Sequence, residues 1–227
     1  MGILLIDSSS KKIEFGYAVN GELAFIEELK PGENADTLIY YLKQSFEKNK
    51  VNLSEIEFVS LSNGPGSFTG LRIGSAIAKG ICYSNESRFI EIQTLDIIAG
   101  KFKSVFNDAP KAPINKQKIV SMIFSNSRTL EFYFAGYEID HFTMERISDY
   151  STGFITEIMS DNDCIYITNE KLADNIDDRH LSRITDVSFG SNIPAHLDLA
   201  LVKIKNGDFS DYKSSEPFYM KEFVPNK

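Results

Sequence analysis

Ile3, Leu4, Leu5 and Ile6 are apolar without a break, the pattern of a strand covered on both faces. The polar run Asp7-Ser8-Ser9-Ser10 turns the chain, and alternation resumes over 13–19. Asn20-Gly21 is a strong hairpin signal, so 22–29 returns as the third strand of a meander. Pro31-Gly32-Glu33-Asn34 breaks the pattern, and Asn34 or Asp36 is placed to cap a helix. Leu38, Ile39, Leu42 and Phe46 then recur at helical spacing. A fourth strand is predicted over 57–62, a glycine-rich turn over 64–70, a second helix over 71–83, a short strand over 88–92 and a helical stretch over 95–102.

Between 104 and 118 the chain turns polar and carries Pro110 and Pro113, which reads as a lobe boundary. Beyond it, 118–124 and 129–137 read as paired strands around a turn at Ser125-Asn126-Ser127. The pattern gives a helix over 152–159, a strand over 164–168 and a helix over 195–205 closed by Asn206-Gly207. The stretch 216–223 reads as a last strand or an extended tail. A meander leading into alternating elements predicts two α/β lobes, each a mixed sheet with packed helices, divided into 1–104 and 105–227.

Composition narrows the function classes. The chain has 227 residues, 42% hydrophobic and 25% charged, ordinary for a globular protein. No apolar run approaches the roughly 18 residues of a membrane span. The N-terminus reads as a strand that starts at once, so a cytoplasmic protein is expected. Cys82 and Cys164 are far apart in sequence and read as buried free thiols. A formal net charge of −8 disfavours strong autonomous binding to nucleic-acid phosphates. The histidines, His141, His180 and His196, lie in separate segments, with no H-x-x-x-H or H-E-x-x-H pair. They read as surface residues and no metal site is expected.

The most informative stretch is Ser62-Asn63-Gly64-Pro65-Gly66-Ser67-Phe68-Thr69-Gly70-Leu71-Arg72-Ile73-Gly74, set between a strand and a helix. Ser67 or Thr69 is placed to cap that helix. A Walker loop does not match, because Gly64 and Gly70 are one residue too far apart and Leu71-Arg72 stands where Lys-Ser/Thr is needed. The Rossmann pattern fails because its third glycine comes one residue late. An anion-binding turn and a purely structural tight turn both remain open. Along the helix, Gly70, Gly74 and Ala78 fall at i, i+4 and i+8 beside Ile73, Ile77 and Ile81. Such a small-residue stripe lets another helix approach closely, from this chain or from a partner.

The run from Gly64 to Gly74, followed by Ala78-Lys79-Gly80, resembles the hallmark segment of the TsaB (YeaZ) family. Ile6-Asp7-Ser8-Ser9 and Thr94-Leu95-Asp96-Ile97-Ile98-Ala99 are similar to two further stretches of that family. Glu216-Pro217-Phe218-Tyr219-Met220-Lys221 resembles its closing segment. Ser125 stands where that family usually has an acidic residue, and Asn34 where it often has histidine.

The resemblance implies a two-lobed fold of the actin-like, ribonuclease-H-like kind (the ASKHA fold). It implies a non-catalytic scaffold that pairs with the catalytic paralogue TsaD for threonylcarbamoyl transfer to the adenosine next to the tRNA anticodon. The ATPase TsaE is then reached through the complex, as is tRNA. No cofactor is expected, with Asp7 a weak nucleotide candidate at a subunit junction. The implied partner surface is the first-lobe helices, with Leu38, Tyr41, Ser45, Gly70, Gly74 and Ala78 as contacts, and Gly74→Leu is expected to abolish pairing while sparing the fold. Without the paralogue that surface would suit a homodimer. A homodimeric regulatory protein and a standalone actin-fold ATP-dependent phosphotransferase are the competing readings. The second is disfavoured because Ser125 to Arg128 carries no glycine where a second phosphate hairpin should open the second lobe.

Overall fold

Asn20 and Gly21 both adopt left-handed backbone, at φ +54° and +87°, as a two-residue hairpin requires. They join β2 (Glu14–Val19) to β3 (Glu22–Glu28), and β2 pairs antiparallel with β1 (Gly2–Asp7). The expected meander is therefore present. The computed structural model describes residues 1–30, 32–108, 116–172 and 174–220. They form two compact units, one of Met1–Ile97 with Ser191–Phe218, the other drawn from the described residues of Ile98–Gly190 with Tyr219 and Met220. The chain thus returns to the first unit near its end, which a single division at 104 does not represent.

In the first unit, α1 (Leu38–Lys48) follows a 3-10 turn at Ala35–Thr37. Neither Asn34 nor Asp36 caps α1, whose N-cap is Thr37 without a side-chain bond. Next come β4 (Ile56–Ser62), α2 (Phe68–Asn85) and β5 (Arg88–Ile92), in the sheet order β3-β2-β1-β4-β5. β4 lies parallel to both β1 and β5. β1 is buried at every position, as its unbroken apolar run demands. On one face Leu4, Ile6, Phe15, Tyr17 and Val59 pack with Leu38, Leu42 and Phe46 of α1 and Ala78 and Cys82 of α2.

The second unit begins inside α3 (Thr94–Asp108). Of the expected 104–118 boundary, 109–115 lie outside the described residues. β6 (Gln117–Asn126) and β7 (Glu131–Ile139) pair antiparallel, but their turn falls at 127–130, starting two residues later than expected, with Leu130 at φ +53°. β8 (Met144–Arg146) and β9 (Ser151–Phe154) both pair with β7. The helix expected over 152–159 is a correction: its first half is β9, and only α4 (Ile155–Ile158) is helical. Cross-strand pairing with Glu131–Phe134 outweighs the local helical period there. β10 (Ile165–Thr168) lies parallel to β6, and after α5 (Asp178–Leu181), β11 (Ile184–Asp186) lies parallel to β10. The mixed sheet runs β11-β10-β6-β7-β8. Met122, Phe132, Ile155, Met159, Tyr166 and Ile176 form a core on one side of it.

The last helix, α6 (Ile193–Asn206), ends on Gly207 in the left-handed conformation, as Asn206-Gly207 predicted. It returns to the first unit, where Ile193, Ala195, Leu197 and Ala200 pack with Ile3, Leu5, Ala18 and Ile90. Residues 216–220 join no sheet, and 221–223 lie outside the described residues. Among the described residues no helix is long and apolar enough to cross a membrane.

Candidate functional site

The turn after β1 and the start of α2 are built into each other. Ser67 donates its backbone N–H to Ser9 O at 2.6 Å, and its hydroxyl oxygen accepts from Gly70 N at 3.3 Å as the helix N-cap. The Ser8 hydroxyl donates to Gly70 O at 2.9 Å. The glycines of the motif are there because the turn lies against them. A Cβ on Gly66 would stand 2.2 Å from Ser9 O, one on Gly70 2.0 Å from Ser8 O, and one on Gly74 2.1 Å from Ser8 Oγ. Gly64 is required for another reason, its φ of +110°.

That contact decides which face of α2 is outside. Gly70, Gly74 and Ala78 are buried against their own chain, and the close-packing neighbour of the stripe is the β1 turn rather than a helix. The expectation that Gly74→Leu would spare the fold is therefore corrected: no side chain fits at 74 while Ser8 holds its place. Leu38 and Ser45 are buried as well, and Tyr41 is half-buried. Tyr41 and Ser45 nevertheless line an open recess of about 410 Å³ with Glu27, Gln44, Glu47 and Lys48. Gly64, Pro65 and Leu71 of the motif are buried and Gly66 is partly so, while Ser67, Thr69 and Arg72 are exposed. The Arg72 guanidinium lies 3.9 Å above the half-buried Phe68 ring. The large apolar side chains left outside on these helices are Ile39 (54% exposed), Tyr40 (57%) and Tyr83 (76%).

Beneath the turn lies a buried polar cluster. Asp7 and Glu14 face each other across β1 and β2, and both are fully buried. Two opposed carboxylates repel unless bridged, and Asn192 bridges them. Its amide N–H donates to Glu14 Oε1 at 2.5 Å and its side chain to Asp7 Oδ2 at 3.0 Å. Asp7 Oδ1 accepts from Ser9 N and Ser9 Oγ, and Lys12 Nζ sits 3.4 Å from Glu14 Oε2. Burial, with the Asp7 charge second, raises the Glu14 carboxyl above its ordinary range. Asp7 is thus engaged through both oxygens, Oδ1 pinning its own turn at Ser9 and Oδ2 tying that turn to Asn192.

His196 is a second correction. It is fully buried, not on the surface, with Nε2 2.9 Å from Ser60 Oγ, and burial lowers its pKa to about 4. His180 contacts Asp177 at 2.7 Å, and His141 is half-buried. Cys82 is buried as expected, whereas Cys164 is only half-buried and its thiol donates to Asp161 at 3.3 Å. Among the described residues no group of three or more His, Cys, Asp or Glu is placed to hold a metal. Sequence reasoning missed Glu14, Ser60, Asn192 and His196. An acid opening the otherwise apolar β2 was the available signal for Glu14; nothing local announces Asn192, 185 positions from Asp7.

Comparison with known proteins gives the relationship. The family model described as TsaD, tRNA N6-adenosine threonylcarbamoyltransferase, matches residues 33–187. The chain is 26% identical over 97 residues to a Haemophilus influenzae protein named tRNA threonylcarbamoyladenosine biosynthesis protein TsaB, covering 43% of this chain and 41% of the relative. It is 30% identical over 99 residues to the Escherichia coli protein of the same name, covering 44% and 43%. The matched stretch spans about two fifths of the length of these curated relatives. The structure of YeaZ from Pseudomonas aeruginosa superposes at a TM-score of 0.75 and 16% identity, covering 96% of this chain and all of that one, which establishes the shared two-lobed α/β fold. The chain belongs to the family described as TsaD, tRNA N6-adenosine threonylcarbamoyltransferase, and these curated relatives carry the name TsaB.

Proposed function

We propose that this chain is a non-catalytic scaffold subunit in tRNA threonylcarbamoyladenosine modification, pairing with the catalytic paralogue TsaD through the exposed sides of α1 and α2. The relatives' names point to that modification. The observation that carries pairing is the outward apolar set on those two helices, Ile39, Tyr40 and Tyr83. Each helix already lays its opposite face on the first unit's core, so these side chains are spare for a second surface. Tyrosine suits interface centres, burying a large ring while its hydroxyl finds a partner. Gly70, Gly74 and Ala78 then act indirectly, by seating α2 on the β1 turn. Tyr41 and Ser45 contribute through the recess beside α1, and Leu38 through the core beneath it.

Three observations favour a supporting role over chemistry on this chain. Both oxygens of Asp7 are committed within the chain, Oδ1 to Ser9 of its own turn and Oδ2 to Asn192. His196 is sealed against Ser60. The exposed part of the motif offers Ser67, Thr69 and Arg72 beside an aromatic ring, without a carboxylate or imidazole among them. TsaE and tRNA are reached through the assembled complex, in the cytoplasm, and no cofactor of the chain's own is invoked.

Size-exclusion chromatography with light scattering, on this chain mixed with the TsaD paralogue of the same genome, tests the reading. A stoichiometric heterodimer that Tyr40→Glu disrupts is expected. Two separate peaks at micromolar concentration refute pairing, and a homodimer indifferent to the paralogue would favour the regulatory alternative. Saturable ATP binding with phosphoryl transfer by the chain alone would replace the scaffold with a phosphotransferase.

A further inference from the structure

We propose that residues 208–218 form a clamp that fixes Asn63 and Gly64, and through them sets the first turn of α2 that carries Ser67, Thr69 and Arg72. After α6 the chain crosses the outer strand β5. Phe209 lies beside Phe58 and under Arg88, with ring centroids 5.8 Å apart and the guanidinium 4.8 Å above its ring. Ser210 donates its amide to Phe89 O at 2.9 Å, in an isolated antiparallel bridge. Past a turn at 212–214 the strap comes down on the end of β4.

There the contacts are polar and run in both directions. The Asn63 side chain donates to Glu216 O at 3.0 Å and to Glu91 Oε1 at 2.6 Å, while Phe218 N donates to Asn63 O at 2.8 Å. The Ser215 hydroxyl donates to the same Glu91 oxygen at 2.5 Å, and the Lys79 ammonium of α2 donates to Ser215 O. Phe218 O lies where a Cβ on Gly64 would come within 2.8 Å. Gly64 O in turn accepts from Thr94 N at 2.8 Å. The short stretch from Asn63 to Ser67 is therefore held at both ends, by the strap at 63–64 and by Ser9 O at Ser67.

The two halves of the strap are held by different means. The first half is anchored by Phe209 and by Tyr212, which packs against the core. The second half meets the end of β4, β5 and α2 through polar bonds of main-chain carbonyls, an amide, a hydroxyl, an ammonium and a carboxylate, each of modest net worth against water. Releasing this half removes the bonds at Asn63 O and from the Asn63 side chain to Glu216 O, which loosens one end of the 63–67 stretch while Asn63 N stays on Ile92 O and Gly64 O on Thr94 N and the sheet stays intact. This clamp deepens the pairing reading, because the turn it sets belongs to the helix proposed to meet the partner.

Amide hydrogen exchange on the full chain, on a chain ending at Ser214 and on full-length Lys79→Met tests it, with partner pairing measured alongside. Removing 215 onward should leave protection in β1–β3 unchanged and speed exchange at the Ser67 and Leu71 amides at least ten-fold. Lys79→Met should move the same amides by a smaller factor. Unchanged exchange at Ser67 and Leu71 in the shortened chain overturns the clamp. If the shortened chain does not fold, unchanged exchange in Lys79→Met overturns it, and local acceleration there supports it. Pairing is read separately: failure of the full chain to pair overturns the proposed function, while the exchange data still decide the clamp.

Discussion

Gly70 and Gly80 lie ten residues apart on α2 and should respond oppositely to the same substitution. Alanine in a helix interior is favoured over glycine by about 1 kcal/mol, from the smaller entropy lost on folding. At Gly80 nothing stands within 4 Å of the added Cβ, so Gly80→Ala should realise that gain, roughly 0.5–1 kcal/mol of added stability. At Gly70 the Cβ would lie 2.0 Å from Ser8 O and 3.2 Å from Ser8 C. Those are backbone atoms at the end of β1, so relief means moving the strand end or the helix. Forcing an extra methyl into a packed site costs about 1–3 kcal/mol. Moving α2 would also stretch the bond from Ser8 Oγ to Gly70 O, worth about 1 kcal/mol. Net destabilisation by about 1–3 kcal/mol is expected for Gly70→Ala after subtracting the propensity gain. Urea unfolding followed by circular dichroism, with wild type and both variants at equal m-value, measures the two differences. A Gly70→Ala protein as stable as wild type would refute the claim that the motif glycines exist to seat α2 on the β1 turn. Destabilisation by Gly80→Ala would refute the assignment of that side of the helix to solvent.

Other consequences follow from the buried groups. Because burial depresses His196 to about 4, the unfolded chain takes up a proton below about pH 6.5 that the folded chain refuses. The stability it contributes is complete above that pH and is lost as pH falls toward 4, up to about 3 kcal/mol. Urea midpoints for His196→Gln should show a flatter pH profile over that window, and an unchanged slope would refute this assignment. Ser60→Ala removes the partner of His196 Nε2 and should cost about 1–3 kcal/mol, as for any buried group left unsatisfied. Cys82 is buried with its thiol pushed up to about 12, and Cys164 is pushed to about 11; neither should react quickly with a thiol reagent at pH 7 until the chain is unfolded, and rapid native labelling at Cys82 would contradict its burial.

The elements most legible in the sequence were those whose neighbours lie close along the chain. The meander, the Asn20-Gly21 turn, β4, β5 and the Gly207 cap all follow from local periodicity and turn chemistry. Residues 152–154 depart from the helix expected there because their partner is the first half of β7, and pairing across a sheet outranks a local helical period. His196 was misplaced for a related reason. Its Ser60 contact spans 136 positions, and composition alone makes histidine look like surface.

The motif shows the same limit at its sharpest. Gly70, Gly74 and Ala78 are visible as a small-residue stripe in the sequence, and the inference that something approaches them closely holds. Spacing along one helix cannot say what approaches, because a stripe that admits a partner's helix and one that admits the chain's own turn have the same period. The deciding residue is Ser8, whose hydroxyl and carbonyl occupy the space of the missing side chains, and it lies 62 positions from Gly70. A surface that pairs by way of this helix must therefore be sought on its opposite side, at Tyr83 and its neighbours. Tyr83→Glu and Gly74→Leu should then fail differently. The first should keep the wild-type urea midpoint and lose the heterodimer, and the second should lose the fold first. Equal loss of stability in both would place Tyr83 in the core of the first unit and remove α2 from the proposed interface.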